Sequence, residues 1–173
     1  LLTNLFLVLR LPAEGALPLP MRPIEPLGPA VVLLSALPWL LAAGLLGPLP
    51  AALLGLLSGL IAMGWDTHNP FTPLEICLLA TLAGAAFQQR YRTPLFRLLR
   101  QPLAMSIFLA LLFPFLYLLD TLLVVPGILA NRLDYALAGG AFTLLAATIE
   151  LLVAGVFGQV IALAAPRHWG GHG

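Results

Sequence analysis

Gly64-Trp65-Asp66-Thr67-His68-Asn69-Pro70-Phe71-Thr72-Pro73-Leu74-Glu75 is a compact polar turn between two strongly apolar runs, 50–64 and 73–88. Apolar runs joined by so short a turn read as a hairpin of two helices. Within the turn, Thr72-Pro73-Leu74-Glu75 has the pattern of a capping box. Thr72 would accept from a backbone amide of the first helical turn while Glu75 reaches back to the cap amide. Pro73 suits the first helical position, where no intrahelical bond is lost. The surrounding runs decide the environment, because they carry almost no charge.

Of the 173 residues, 61% are hydrophobic and only 9% are charged, with a mean hydropathy of +1.02. A soluble domain needs charge on about a quarter of its residues. Here eight Arg and seven acidic residues serve the whole chain, and Lys is absent. The missing polar surface implies a lipid-facing one. A net charge of +1 and no basic stripe interleaved with aromatics exclude a nucleic-acid partner. The single Cys77 rules out an internal disulfide and a cysteine-based metal cage, and reads as a small apolar helix residue.

A bilayer core of about 30 Å takes roughly 20 helical residues to cross. On that scale the chain reads as an all-α, polytopic transmembrane bundle of five spans plus the end of an earlier helix. The spans fall at 28–46, kinked at Pro38; 50–64; 73–88; 102–125, containing Pro114; and 136–165, broken by glycines. Residues 1–27 read as the end of a preceding helix followed by a Pro-rich outer loop. Residues 28–165 read as the bundle, and 166–173, with His168 and His172 beside Trp169, as a cytoplasmic linker. The start lacks a charged n-region and does not look like a signal peptide. Ala51, Gly55 and Gly59 recur every four residues and should admit a close neighbouring helix.

Arginine placement orients the bundle, since cationic loops stay in the cytoplasm. Arg90, Arg92, Arg97 and Arg100 share one loop without acidic neighbours, which puts 89–101 and the C-terminus in the cytoplasm of a bacterial inner membrane. The turn 65–72 and a loop around Arg132 and Asp134 then lie outside. Leu95, Phe96, Leu98 and Leu99 alternate with the arginines, as in a short interfacial helix anchored on anionic lipid or a simple stop-transfer anchor.

Two groups of residues could carry chemistry. Asp66, His68 and Asn69 form the polar floor of an outward pocket, or cap a plain turn with Trp65 anchored at the headgroups. Two adjacent ligands do not make a metal site, and no metal or cofactor is expected. Glu150, near the middle of the last span, and Asp120, toward the outer end of the one before, are costly charges in lipid. They either bond Thr143, Thr148, Thr121 or Gln159 between helices or serve a ligand, with Glu75 as a further lining group. No Ser-His-Asp spacing, zinc-protease signature, Walker loop or dinucleotide fingerprint occurs, so no catalytic residue is assigned.

The run Leu46-Gly47-Pro48-Leu49-Pro50-Ala51-Ala52-Leu53-Leu54-Gly55-Leu56-Leu57-Ser58-Gly59-Leu60, then the polar turn, then Thr81-Leu82-Ala83-Gly84-Ala85-Ala86-Phe87 carries a resemblance. These glycine-punctuated short helices resemble the LytS-like and MASE-like membrane input domains of bacterial sensor kinases and diguanylate cyclases. They also resemble the substrate-binding S components of energy-coupling-factor vitamin transporters. The first resemblance implies a sensory domain for a small ligand or membrane state, not itself an enzyme. Kinase or cyclase activity would then lie in a C-terminal domain, with homodimerisation through the signalling domains. The second implies a small-molecule transport subunit. A structural subunit of a membrane complex, the third reading, would have broad apolar faces and no pocket.

Overall fold

The computed structural model describes residues 8–10, 30–91, 93–166 and 168–170. The calls on Arg92 as a surface anchor, on the loop 11–27 and on Arg167 and His172 of the tail lie outside the described residues. The chain is predominantly helical. Two three-residue strands, β1 (Val8–Arg10) and β2 (Ala30–Val32), pair antiparallel with Leu9 opposite Val31. They are followed by α1 (Leu37–Leu45), α2 (Pro48–Ala62), α3 (Thr72–Gln88), α4 (Pro94–Leu99), α5 (Pro102–Val124) and α6 (Leu129–Ala164).

Proline punctuates this order. Each helix from α1 to α5 carries a proline at its first or second position, where the missing N–H costs no hydrogen bond and φ is already helical. That placement overturns one expectation. The span 28–46 is not a kinked helix: β2 and a turn occupy its first half, and Pro38 opens α1 instead of bending it. At nine residues, α1 is about 14 Å long and does not cross a bilayer core. Val8–Arg10, expected at the end of a helix, is a strand.

The other four expected spans coincide with helices whose ends are shifted. Three helical stretches among the described residues are long and apolar enough to cross a membrane: Pro48–Thr67, Pro102–Val124 and Leu129–Ala164. The shorter apolar α3 pairs with the first of them. α2 continues through one widened turn, Met63–Thr67, in which the hydrogen bonds skip five residues. α5 runs through Pro114. α6 starts well before 136 and absorbs the loop expected around Arg132 and Asp134. Arg132 donates to Leu122 O (2.6 Å) in the last turn of α5 and to Gly127 O (2.9 Å) in the connection after it, so its guanidinium caps the helix end and ties it to the connection.

Small residues set the packing. On α2, Ala51, Gly55 and Gly59 are buried, whereas Leu49, Leu53 and Leu57 on the opposite face are each more than half exposed. A Cβ added at Gly55 would sit 2.7 Å from the Ala80 Cβ and 2.9 Å from Ile76 O. One added at Gly59 would collide with the Pro73 backbone. α5 and α6 close up in the same way, with Gly155 against Ser106 and Gly158 against Pro102. Leu111, Phe115, Leu119 and Leu123 form an exposed stripe every four residues along α5. In water such a stripe is unfavourable; in lipid it is the expected surface.

α1 lies at the centre, with Trp39, Leu40, Ala42, Ala43 and Gly44 buried among Leu79 and Phe87 of α3, Met105 and Leu109 of α5, and Leu151 and Ala154 of α6. The tail, expected as a linker, folds back at its described part. Trp169 packs on Phe87 with the rings tilted by 55° and their centroids 5.4 Å apart, and lies against Gly44, and Gly170 N–H donates to Gly44 O at 2.8 Å. Only a glycine at 44 leaves room for that indole.

Candidate functional site

The widened turn at the end of α2 orients the polar cluster. His68 N–H closes it on Met63 O at 3.0 Å, and His68 then takes φ 52°, the left-handed region. It is the one non-glycine residue so strained among the described residues. We expect His68→Asn or His68→Gly to fold at least as stably, and His68→Val to lose about 1–2 kcal/mol in thermal unfolding.

From His68 the chain enters α3 through Asn69. The Asn69 Oδ1 accepts from Phe71 N–H (3.0 Å), and the Thr67 and Thr72 hydroxyls meet at 2.8 Å. This arrangement replaces the expected capping box. Thr72 is already helical, no side chain caps α3, and the Glu75 N–H is bonded to Phe71 O. Glu75 is therefore released from a capping role, and its buried Oε1 has no hydrogen-bond partner.

Both buried acids found partners, though not those expected. Asn69 Nδ2 donates to Asp120 Oδ2, tying the turn to α5. Glu150 accepts from Val32 N–H (2.6 Å) and the Ser35 hydroxyl (2.7 Å). The Thr121 and Thr143 hydroxyls instead donate to carbonyls of their own helices, at 2.7 and 3.3 Å. The Gln159 side chain faces Leu103 N–H. Glu150 thus joins α6 to the segment just before α1, and its carboxylate lies at the N-terminal end of α1, where the helix dipole favours negative charge. α6 meets Ser106 at Gly155 and Tyr117 at Gly140, which sets Glu150 well inside the length of α5.

These groups share one cavity of about 480 Å³. Trp65, Asp66, His68, Asn69, Glu75, Asp120 and Glu150, all singled out from the sequence, line it. Its apolar wall includes Leu54, Ile76, Leu79 and Phe113. Sequence reasoning missed Ser35, Trp39, Tyr117 and Tyr135, which also line it. No three His, Cys, Asp or Glu side chains among the described residues are grouped to hold a metal ion.

No protein-family model matches the chain, and no curated protein or solved structure shows significant similarity to it. Function therefore has to be argued from the cavity itself.

At the other end of the bundle, the arginines divide. Arg90 and Arg97 are exposed beside the exposed Leu95, Phe96 and Leu98 of α4. Arg100 is turned inward, its guanidinium donating to Gln89 O, so it closes the α3–α5 connection instead of anchoring on a surface.

Proposed function

We propose that the chain is a membrane-embedded sensory domain of a bacterial signalling protein, a sensor histidine kinase or a cyclic-dinucleotide enzyme, that reports occupancy of its cavity by a small molecule. The observation that carries this reading is the cavity. Its wall is drawn from the β2–α1 segment, α2, α3, α5 and α6, so one occupant touches both helix hairpins and the central half-helix at once. Its size suits a small organic ligand. α6 runs unbroken from Thr143 and Glu150 to Ala164, which gives occupancy a rigid path to the arginine-bearing end. In this reading phosphoryl or nucleotide chemistry and dimerisation belong to a domain beyond this segment.

The proposed placement is the bacterial inner membrane, with α2, α3, α5 and α6 crossing, α1 entering halfway, 89–101 cytoplasmic and 65–72 outside. The arginines of the α3–α5 connection, which has no acidic residue in its sequence, support it. With Cys77 replaced by Ala, Thr93→Cys should resist an impermeant thiol reagent added to intact cells and react after permeabilisation. Reaction in intact cells would reverse the orientation.

A second reading has one specific observation in its favour. α1 is a half-helix whose N-terminal end opens onto the cavity, as discontinuous helices do at transporter substrate sites, which fits a vitamin or small-molecule transport subunit. The coding sequence past Gly173 separates the two. A kinase, cyclase or related module in frame supports the sensor; a stop codon beside genes for an energising ATPase sinks it.

A further inference from the structure

We propose that the cavity's occupant is a protonated organic amine with an apolar body, its ammonium held between Asp120 and Glu75. The proposal rests on the cavity being a ligand site, and adds the ligand's chemistry.

The lining is one-sided. Among the described residues, Asp66, Glu75, Asp120 and Glu150 contribute carboxyl groups and no arginine lines the cavity. Such a wall offers acceptors and negative charge, and a carboxylate or phosphate ligand would meet no arginine among these lining residues. The four acids are not equivalent. Glu150 is already engaged by Val32 N–H and the Ser35 hydroxyl. Asp120 is only 8% exposed, yet its Oδ1 has no hydrogen-bond partner, and neither has Glu75 Oε1. Buried acceptors left without donors are rare in native proteins and ask for a missing group. Glu75 on α3 and Asp120 on α5 line the same cavity, between two helices that touch, so one donor-rich cation can serve both.

An ammonium fits this demand better than the alternatives. A bare metal ion needs three or more converging ligands, and the described residues group no such set. A quaternary ammonium carries the charge but has no N–H to satisfy the two oxygens. The remaining wall, with Leu54, Ile76, Leu79 and Phe113 beside Trp39 and Tyr117, takes an aliphatic or aromatic body, and the aromatic faces favour a neighbouring cation.

The test uses the whole chain in nanodiscs of zwitterionic lipid, with empty discs subtracting partition into lipid. Phenylbutylamine, phenylbutanol, phenylbutyrate and phenylbutyl-trimethylammonium are compared by thermal shift and by the fluorescence of Trp39 and Trp65. The amine should bind at least about tenfold more tightly than the alcohol, the acid or the quaternary salt, as a charge-assisted hydrogen bond implies. Asp120→Asn keeps an acceptor for Asn69 and should remove that advantage. Glu75→Gln should weaken it in the same direction and serves if Asp120→Asn does not fold. Equal or tighter binding of phenylbutyrate, or amine binding indifferent to both substitutions, overturns the amine proposal. If the alcohol binds as well as the amine, the cavity stands as a ligand site and the charge preference falls. If none of the four binds, the proposal and the ligand-site reading fall together.

Discussion

Gly59→Leu should pry α2 away from α3 and lower the stability of the bundle by about 3 kcal/mol or more, the upper end of what overpacking costs. The Gly59 Cα faces the Pro73 backbone with no space for a Cβ. Pro73 cannot yield, because it stands in the first turn of α3 with its φ locked. The whole hairpin must therefore open, and the polar turn that it carries moves with it. Thermal unfolding in detergent, followed by far-ultraviolet circular dichroism, reads the loss. Gly64→Ala is the matched control, since an added Cβ there meets nothing within 4 Å. It should be neutral or gain up to about 1 kcal/mol from helix propensity. Similar losses for the two variants would refute the close α2–α3 approach.

Glu150→Leu should be nearly as damaging, for an electrostatic reason. It removes the acceptor shared by Val32 N–H and the Ser35 hydroxyl, and each donor left unsatisfied away from water costs about 1–3 kcal/mol. The expected loss is about 2–5 kcal/mol. Glu150→Gln retains one acceptor and should lose about half as much. The partnership can be measured directly by combining Glu150→Gln with Ser35→Ala. The two losses should fall short of additive by about 1 kcal/mol in a double-mutant cycle. Strict additivity would mean that the carboxylate and the hydroxyl do not meet.

The contrast between those two sites explains what could be read from the chain before its fold was seen. The α2–α3 hairpin was legible because helix contacts in lipid depend on small residues at fixed spacing, a local property that Ala51, Gly55 and Gly59 display openly. The acids were legible as costly groups for the same reason that they are rare: lipid offers them no water. Their partners were not. Asp120 is 51 residues from Asn69, and Glu150 is 115 from Ser35, so the natural guess of a threonine on the same or the next helix failed. Periodicity also misread 28–46. Its residues are apolar enough for a span, but Pro38 marks a helix start, and the described stretch before it, 30–36, is strand and turn, half-buried to buried. The capping box failed at Thr72 because Asn69, one turn earlier, already holds the Phe71 amide.

The short α1 has a consequence for how the molecule is made. Residues 30–35 lie outside any helix, and their backbone groups find partners in β1, in turn bonds and in Glu150; bare hydrocarbon does not tolerate such groups unsatisfied. One of these amides is held by Glu150, a residue synthesised 118 positions later. While the ribosome is still working on α2 and α3, the segment ahead of α1 has β1 as a strand partner but lacks the carboxylate that holds Val32 N–H and the Ser35 hydroxyl. In the membrane placement proposed above, it reaches its final depth only once the α5–α6 pair is there to present that carboxylate. On that placement α1, the first core helix made, is the last to dock, and a nascent protein arrested before α6 should be a clear target for membrane quality control.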